Sequence, residues 1–386
     1  MEQEELKKFF SDGIFEWQFS NKEYEKLWEE RCYNEEKYWG GFSREPFDSK
    51  NYSLPDWAIG PFIKYEGNPV FVPSKDGWDR GHFGGGVHNG SIIKKDNKFY
   101  YIYRGEQELP FKDKEEYRDC KFDYICDIGL AVSNDGIHFE RNIDNSPFFR
   151  KGEDERYSFE DVCVVRYKDN YYLFCNRWDW LNPTDPCISG VFLAISKDLI
   201  HWEKIGLVFP DAKVIHRNAV VVQNPDNEAV KIDGRFVMYL NNGLIAYSND
   251  LIHWESHEVE NLWPGGEGCF AITDYSEDHK DKIVLFTGGH HTGHFYAIGE
   301  VLFSKENPEK PLEWLPRPIL YAEPKYPWED GLSAEPPYRP VSYWRDTIFF
   351  TGMTKHNDKW YIYYGGSEYY TCLAISKERR NKRRDS

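Results

Sequence analysis

One sequence pattern recurs along the chain and constrains the fold more than any other feature. It is a small apolar run ending in Ser, followed by Asn or Lys, Asp, one or two linking residues, His and an aromatic residue. Clear copies are Gly129–Phe139, Phe192–Trp202 and Gly243–Trp254, and weaker copies are Glu300–Trp314 and Cys372–Lys377. Five copies at a spacing of about 50 to 70 residues are typical of propellers and other repeat arrays.

An aromatic, strand-like run precedes each copy of the pattern. These runs are Lys98–Arg104, Asn170–Cys175, Arg235–Tyr239, Lys282–Phe286 and Lys359–Tyr364. Short runs of β-forming residues bounded by Asn-Asp and Asp-Gly turns predict antiparallel meanders. One small meander cannot cover both of its faces, and radial stacking of several meanders leaves only short exposed edges. The sequence therefore predicts an all-β fold, a five-bladed β-propeller with a short helical N-terminal extension; a two-sheet sandwich is the alternative.

Composition divides the chain into three segments. Residues 1–60 form a predicted helical and loop N-terminal extension. Glu4–Phe10 and Lys22–Tyr38 carry charges interleaved with large apolar residues at helical spacing, and the residues from 41 onward are rich in Pro, Gly and Trp. Residues 61–378 hold the repeats and form the predicted catalytic propeller. Within them, Gly67–Pro73 is predicted to close the ring by pairing with the last blade. Residues 379–386 form a basic tail, which we interpret as a solvated chain end.

The overall composition argues against several classes of partner. The net charge is −17 and no broad basic stripe is present, so nucleic acid is not expected to bind. There is no apolar run of membrane-spanning length and no signal-peptide core, so we expect a cytoplasmic protein without a membrane partner. The eight cysteines lack zinc-site spacing, and we predict no cofactor. The amphipathic first segment makes a homo-oligomer plausible.

Polar residues precede the predicted innermost strand of every blade. In a propeller these strands begin near the axis, so their first side chains are expected to face a central pocket. The set is His88, Asn89, Glu160, Asp161, His216, Arg217, Glu267, Glu329 and Glu335. Strand alternation predicts that only one of Glu160 and Asp161 faces the axis. Converging polar groups predict a small polar ligand, and two or more carboxylates suit glycosidic-bond chemistry.

Two further groups of residues are candidates for the walls and rim of this pocket. The candidate walls are the aromatic residues Trp178, Trp180 and Trp263. The candidate rim is a loop with three histidines, His290, His291 and His294. Spacing within a loop does not set ligand geometry, so we interpret these histidines as hydroxyl-binding and predict no metal site.

With these motifs the chain resembles glycoside hydrolase family 130. The resemblance rests on Glu160-Asp161, on the repeated pattern, on Ala297–Pro308 and on the ending Tyr361–Ala374, and it covers about residues 65–377. The family holds β-mannoside phosphorylases and β-1,2-mannosidases. The resemblance therefore implies a substrate that is a small β-linked, mannose-containing oligosaccharide.

The resemblance also implies roles for individual residues. The family's Glu-Asp-Pro-Arg motif falls on residues 160–163, so Asp161 takes the role of general acid, with its proton passing through a sugar hydroxyl. Other family positions fall on Tyr103-Arg104, on Arg217-Asn218 and on Trp328-Glu329. The predicted substrate-binding residues are His88, Asn89, Arg104, Glu160, Arg217, Asn218, His290 and Glu329.

Departures from the family pattern bear on the reaction. Phosphorylases of the family gather basic residues around phosphate, because a buried dianion needs several cations. Here the motif's Arg is replaced by Cys163, and a His-Arg pair is replaced by Leu240-Asn241. These changes predict an inverting hydrolase in which Glu267 or Glu335 activates water.

Three alternatives to hydrolysis of a mannoside stay open. One is a phosphorylase that binds inorganic phosphate through Arg104, Arg217 and His290. Another is a sugar-binding propeller without catalysis. The third, an arabinan- or xylan-type glycosidase, is disfavoured because blade one lacks the Asp that those enzymes use as base.

Overall fold

The computed structural model describes the chain from residue 54 to residue 377 with internal gaps. The described ranges are 54–82, 85–108, 124–149, 156–179, 181, 185–260, 262, 267–289, 296–315, 318–323, 326–330 and 347–377. Most of the predicted N-terminal extension and the whole basic tail lie outside these residues. Their predicted structures therefore stay predictions.

Twenty-one strands form the described part of the chain. In order they are β1 (Phe62–Lys64), β2 (Val87–Lys95), β3 (Lys98–Glu108), β4 (Tyr124–Ser133), β5 (Glu140–Arg141), β6 (Tyr157–Tyr167), β7 (Asn170–Asp179), β8 (Gly190–Ser196), β9 (Glu203–Leu207), β10 (Val220–Gln223), β11 (Lys231–Ile232), β12 (Arg235–Tyr239), β13 (Leu244–Ser248), β14 (Trp254–Glu258), β15 (Glu267–Thr273), β16 (Lys282–Gly289), β17 (Ala297–Ser304), β18 (Pro311–Trp314), β19 (Ile348–His356), β20 (Lys359–Gly366) and β21 (Tyr370–Ser376). Short helical segments are Ile143–Asn145, Asn241–Gly243, Glu277–His279 and the α-helical turn α1 (Pro327–Asp330). No helix among the described residues is long and apolar enough to cross a membrane.

These strands form five consecutive antiparallel meanders. Blade 1 is β2–β5, blade 2 is β6–β9, blade 3 is β10–β14, blade 4 is β15–β18, and blade 5 is β19–β21 with β1. The first strand of every blade lines one shared cavity, which therefore marks a common axis. This arrangement confirms the predicted five-bladed β-propeller.

Five hydrophobic clusters fill the spaces between neighbouring blades. Each cluster draws its buried side chains from two consecutive blades, and the cluster between blades 5 and 1 completes the circle. Tyr101, Tyr103 and Tyr363 are fully buried in that last cluster. Large aromatic side chains suit this position because each buries a large area between sheets that diverge from the axis.

The ring closes when a strand from the start of the chain joins the last blade. β1 pairs with β21, with Phe62 opposite Ser376 and Lys64 opposite Ala374. The closing strand therefore precedes the predicted Gly67–Pro73, which contributes only an isolated bridge from Phe71 to Thr371. Prolines within that run explain the difference, because Pro cannot donate to a strand ladder.

The recurring sequence pattern forms the turn before the outermost strand in blades 1, 2 and 3. In blade 1, Ser133 Oγ accepts a hydrogen bond from Gly136 N at 2.9 Å, and Asp135 accepts from the backbone and the ring of His138. Blades 2 and 3 repeat these contacts through Ser196, Asp198 and His201, and through Ser248, Asp250 and His253. These histidines are exposed at the periphery, so the pattern encodes the fold and not the site.

Candidate active site

The inner strands are distorted at the level where polar side chains meet. Register shifts indicate a β-bulge between His88 and Ser91 in β2 and between Glu160 and Cys163 in β6, and similar shifts occur in β15 and β19. The bulge residues Asn89 and Asp161 have positive φ angles of 40° and 55°. Asx residues tolerate this conformation better than most others, which explains their presence at both positions.

The bulge at Asp161 changes the predicted direction of its neighbour. Strict alternation would place Glu160 and Asp161 on opposite faces, but both carboxylates contact Arg104, at 3.0 and 3.2 Å. Of the two acids, Asp161 lines the axial cavity, while Glu160 shares its contact with Arg104. An extra residue in the strand rotates the backbone locally, so the period of two does not hold there.

Three donors from two neighbouring blades hold the Asp161 carboxylate. Oδ1 accepts from Asn89 Nδ2 at 3.1 Å and from Arg104 Nη1 at 3.2 Å, and Oδ2 accepts from Asn176 Nδ2 at 2.9 Å. About a quarter of the Asp161 side chain remains exposed to solvent. The carboxyl is thus fixed in orientation and still accessible to a ligand.

Glu160 lies deeper than Asp161 and is held by two donors. Trp178 Nε1 donates to Oε1, and Arg104 Nη2 contacts Oε2 at 3.0 Å. Burial raises the pKa of Glu160 to about 7. The charge of Asp161 also raises this pKa, whereas Arg104 lowers it. Trp178 was predicted as a wall, and here it acts as a hydrogen-bond donor to this acid.

A second accessible carboxyl belongs to Glu267, the first residue of β15. Arg217 Nη2 contacts Glu267 Oε1 at 3.2 Å, and 18% of the Glu267 side chain is exposed. Burial raises the pKa of Glu267 to about 7, although Arg217 acts in the opposite direction. Asp161 and Glu368 also influence this pKa, so the three carboxyls belong to one electrostatic cluster.

Asn218 precedes the inner strand of blade 3 and contacts Asn176 of blade 2. Its φ is 55°, its backbone N–H donates to Asn176 Oδ1 at 2.9 Å, and its Oδ1 accepts from Asn176 Nδ2 at 2.9 Å. Its role is thus to orient Asn176, which in turn holds Asp161. Asn218 lines the axial cavity together with Asn89 and Asp161.

Three further residues of the site are not marked by the sequence pattern. Glu106 on β3 contacts Arg104, Asn176 on β7 contacts Asp161, and Glu368 in the β20–β21 turn contacts His88. Glu106 and Asn176 lie on second strands, and the polar residues that precede the innermost strands do not point to them. The register of β3 and β7 against the inner strands was the missing information.

Several predicted site residues have structural roles instead. Glu329 is fully buried, with its carboxylate 2.6 Å from Lys64 Nζ on β1 and 2.7 Å from the Tyr364 hydroxyl. That leaves it no surface for a sugar, so its predicted substrate contact is wrong. His216 donates from Nδ1 to Val214 O and accepts at Nε2 from Ser256 on the outer strand β14, and so also points away from the cluster.

His88 belongs to the cluster but is not accessible to a sugar. It has no exposed surface, and its two ring nitrogens lie 3.1 Å from Glu106 and 3.3 Å from Glu368. His88 therefore connects the carboxylates of Glu106 and Glu368 and is not exposed for the predicted contact with sugar hydroxyls. The remaining predicted site residues lie outside the described part of the chain: Trp180, Trp263, His290, His291, His294 and Glu335.

The described cluster carries more acidic than basic groups. Its carboxyls are Glu106, Glu160, Asp161, Glu267 and Glu368, and its guanidinium groups are Arg104 and Arg217. Arg104 is already shared by three carboxylates. Carboxyls with different environments can divide acid and base roles, which is the requirement for cleaving a glycosidic bond.

Comparison with known proteins gives consistent matches. The family model of glycoside hydrolase family 130, described as beta-1,4-mannooligosaccharide phosphorylase, matches residues 115–380. A 1,2-beta-oligomannan phosphorylase of Thermoanaerobacter sp. (strain X514) is 28% identical over 320 residues, which are 80% of this chain and 94% of the relative. The beta-1,2-mannobiose phosphorylase of the same organism is 25% identical and covers 81% and 96%. A glycosyl hydrolase from Bacteroides ovatus has a similar fold, with a TM-score of 0.65 and 21% identity over 85% of this chain and 97% of its own.

Proposed function

This chain belongs to glycoside hydrolase family 130, and we propose that it cleaves short β-linked mannosides by hydrolysis with inversion. The first substrates to test are β-1,2-mannobiose and short β-1,2-oligomannans, because two relatives are named for these sugars. The observation that carries the proposal is the Asp161 carboxyl, which is held by Asn89, Arg104 and Asn176 at the axial cavity and is still partly exposed.

In this mechanism Asp161 supplies the proton for the leaving sugar. The resemblance to the family implies that the proton passes through a hydroxyl of the bound sugar. The three donors around Asp161 fix both oxygens, so the acid is held in one orientation before the substrate arrives. Such pre-orientation lowers the barrier because no rearrangement is needed at the moment of reaction.

Glu267 is the proposed base that activates water. Inverting glycosidases need a carboxylate on the face of the sugar opposite the acid, with room for a water molecule between them. Glu267 begins β15 of blade 4, whose next residues Gly268 and Cys269 line the axial cavity, whereas Asp161 lines it from blade 2. The two carboxyls therefore belong to blades that are not adjacent in the ring. The Glu267 pKa of about 7 is well matched to accepting a proton near neutral pH.

Phosphorolysis is the second candidate, and the names of the two Thermoanaerobacter relatives favour it. Of the two arginines in the described carboxylate cluster, Arg217 is the more exposed, with 42% of its side chain accessible, so phosphate would have to bind to it. Arg104 is only 9% exposed and already contacts three carboxylates, whose combined charge exceeds its own. A phosphate dianion in this acidic cluster would be poorly compensated, and for that reason we favour hydrolysis.

Replacing Arg217 by Gln is expected to move the acidic limb of the pH–rate profile to higher pH. Glu267 must be ionised to accept a proton, so the rate falls as the pH drops below the Glu267 pKa of about 7. Arg217 lowers this pKa, and its loss raises the pKa further because the anion loses a stabilising charge. The measurement is kcat/KM across neutral pH.

The matched control for this prediction is Arg235→Gln, which removes an exposed arginine of the same blade. Its acidic limb should coincide with that of the wild-type protein. If the Arg217→Gln limb stays in place or moves to lower pH, Glu267 is not the base.

The products of β-1,2-mannobiose cleavage test the proposed function. Free mannose formed equally with and without inorganic phosphate supports hydrolysis. Mannose 1-phosphate formed only in the presence of phosphate supports phosphorolysis. If neither product forms from any mannoside of a panel, the result contradicts the proposed function and favours a sugar-binding propeller without catalysis.

A further inference from the structure

We propose that Glu106 is the positioning residue for the acid: it fixes Arg104, and Arg104 fixes Asp161. This inference rests on the proposed function, because it concerns the same reaction. Nothing in the sequence motifs assigns a role to Glu106. Its importance follows from its contacts, which connect residues of three blades in one buried network.

Glu106 is a buried carboxylate with three cationic or potentially cationic neighbours. Its side chain is 3% exposed, and Arg104 Nη2 lies 2.6 Å from Oε1. His82 Nε2 lies 2.5 Å from Oε2, and His88 Nε2 lies 3.1 Å from Oε1. Burial would raise the pKa of Glu106, but Arg104, His82 and His88 hold it well below its usual range. The group therefore stays ionised although it is removed from solvent.

The backbone around Glu106 is shaped to admit the carboxylate. A Cβ atom placed on Gly85 would lie 1.9 Å from Glu106 Oε2, so any larger residue at position 85 would displace the acid. The Glu106 backbone N–H donates to Gly86 O at 2.9 Å, and its carbonyl accepts from Gly81 N at 2.8 Å. The chain thus fixes Glu106 at the main chain as well as at the side chain.

Arg104 divides its donors among three acids. Nη2 contacts Glu106 at 2.6 Å and Glu160 at 3.0 Å, while Nη1 contacts Asp161 at 3.2 Å. The contact with Glu106 is the shortest of the three, and Glu106 is the most buried of the three acids. A planar guanidinium has a fixed donor geometry, so fixing Nη2 on Glu106 also sets the direction of Nη1 toward Asp161.

His88 extends the network to blade 5. Its Nδ1 lies 3.3 Å from Glu368 Oε2, and its Nε2 faces Glu106. Glu368 follows Ser367 in a turn where both residues have positive φ angles, 54° and 49°. The neighbouring charges facing this network are Glu160 and Asp161 from β6 and Arg104 from β3. Loss of the Glu106 charge would therefore affect Asp161 through Arg104, because Glu106 and Asp161 both contact this guanidinium.

The test compares Glu106→Gln with Glu108→Gln in the full-length protein. Both variants remove one carboxylate from β3, but Glu108 is exposed at the end of the strand. Glu106→Gln is expected to lower kcat for β-1,2-mannobiose about 10²-fold, with KM and the calorimetric Kd changed less than about threefold. Glu108→Gln should retain wild-type values. Glu106→Asp keeps the charge with a side chain one methylene shorter, and we expect an intermediate kcat.

Crystal structures of the two Gln variants provide a readout that does not depend on turnover. In Glu106→Gln, the Arg104 guanidinium should leave its contact with Asp161, whereas in Glu108→Gln it should stay. The proposal is overturned if kcat of Glu106→Gln matches that of Glu108→Gln, or if Kd weakens in parallel with the loss of turnover. An unmoved Arg104 in Glu106→Gln also overturns it.

Failure of the proposed function and failure of this inference would give different experimental results. If the wild-type protein cleaves no mannoside, the proposed function fails, and the crystal structures still test whether Glu106 fixes Arg104. If Glu106→Gln does not fold, Glu106→Asp carries the test. A Glu106→Asp variant with wild-type kcat and an unchanged Arg104 position would then contradict the inference.

Discussion

Replacing Asp161 by Asn is expected to reduce turnover of β-1,2-mannobiose by about 10³-fold or more. The amide cannot supply a proton to the leaving sugar, yet it has nearly the same shape and its oxygen can still accept from Asn89 or Arg104. Binding of the intact disaccharide should therefore change little. The measurements are kcat/KM with the natural disaccharide and Kd by calorimetry with the same sugar.

The matched control for this prediction is Asp169→Asn. Asp169 lies in the exposed turn between β6 and β7, so the variant makes the same chemical change on the same hairpin, away from the cavity. It should retain wild-type turnover. Substantial activity in Asp161→Asn would show that another group donates the proton. Loss of both turnover and binding would mean that Asp161 mainly binds the sugar.

Replacing Glu267 by Gln is expected to reduce turnover by about 10²- to 10³-fold. The amide cannot accept a proton from water, so water attacks without assistance. If Glu267 is the base, adding azide to Glu267→Ala should produce mannosyl azide, because a small anion can enter the space and needs no deprotonation. The measurement is turnover with and without azide, together with the identity of the sugar product.

Glu313→Gln serves as the control, since Glu313 is exposed on the outer strand of the same blade. It should behave as the wild-type protein in both measurements. If Glu267→Gln retains most of its activity, the base lies elsewhere. Glu335, which lies outside the described residues, would then be the next residue to test.

The architecture could be predicted from the sequence because it depends on repetition. A turn pattern that recurs five times reports the number of blades, and its Ser and Asp residues make the same hydrogen bonds in three of them. The closing strand was harder to locate. Phe62–Lys64 contains only three residues and shows no pattern of its own, so pairing with β21 depends on the three-dimensional ring.

Only part of the site could be predicted from the sequence. Asp161, Arg104 and Asn89 were correctly expected to lie together, because each stands near the axial end of a recognisable strand. The β-bulges could not be foreseen, since their presence depends on pairing register and not on residue type. They explain why Glu160 and Asp161 share one guanidinium.

Residues in second strands and in helical turns were the main source of error. Glu329 was placed at the axis because it precedes the last blade, but α1 (Pro327–Asp330) carries it to Lys64 on the outer strand β1. Glu106 was overlooked because it follows an aromatic strand and no acid pair marks it. In both cases the deciding information is which residues become neighbours in space, which a single sequence does not contain.

Cleavage of β-1,2-mannobiose in oxygen-18 water, with and without inorganic phosphate, tests the central claim most directly. Mass spectrometry follows the label, and proton NMR follows the first anomer released. Inverting hydrolysis predicts that one released mannose carries a single oxygen-18 at C1, that it appears first as the α-anomer, and that phosphate has no effect on the rate. Unlabelled α-mannose 1-phosphate, formed only when phosphate is present, would contradict hydrolysis and assign the enzyme to phosphorolysis.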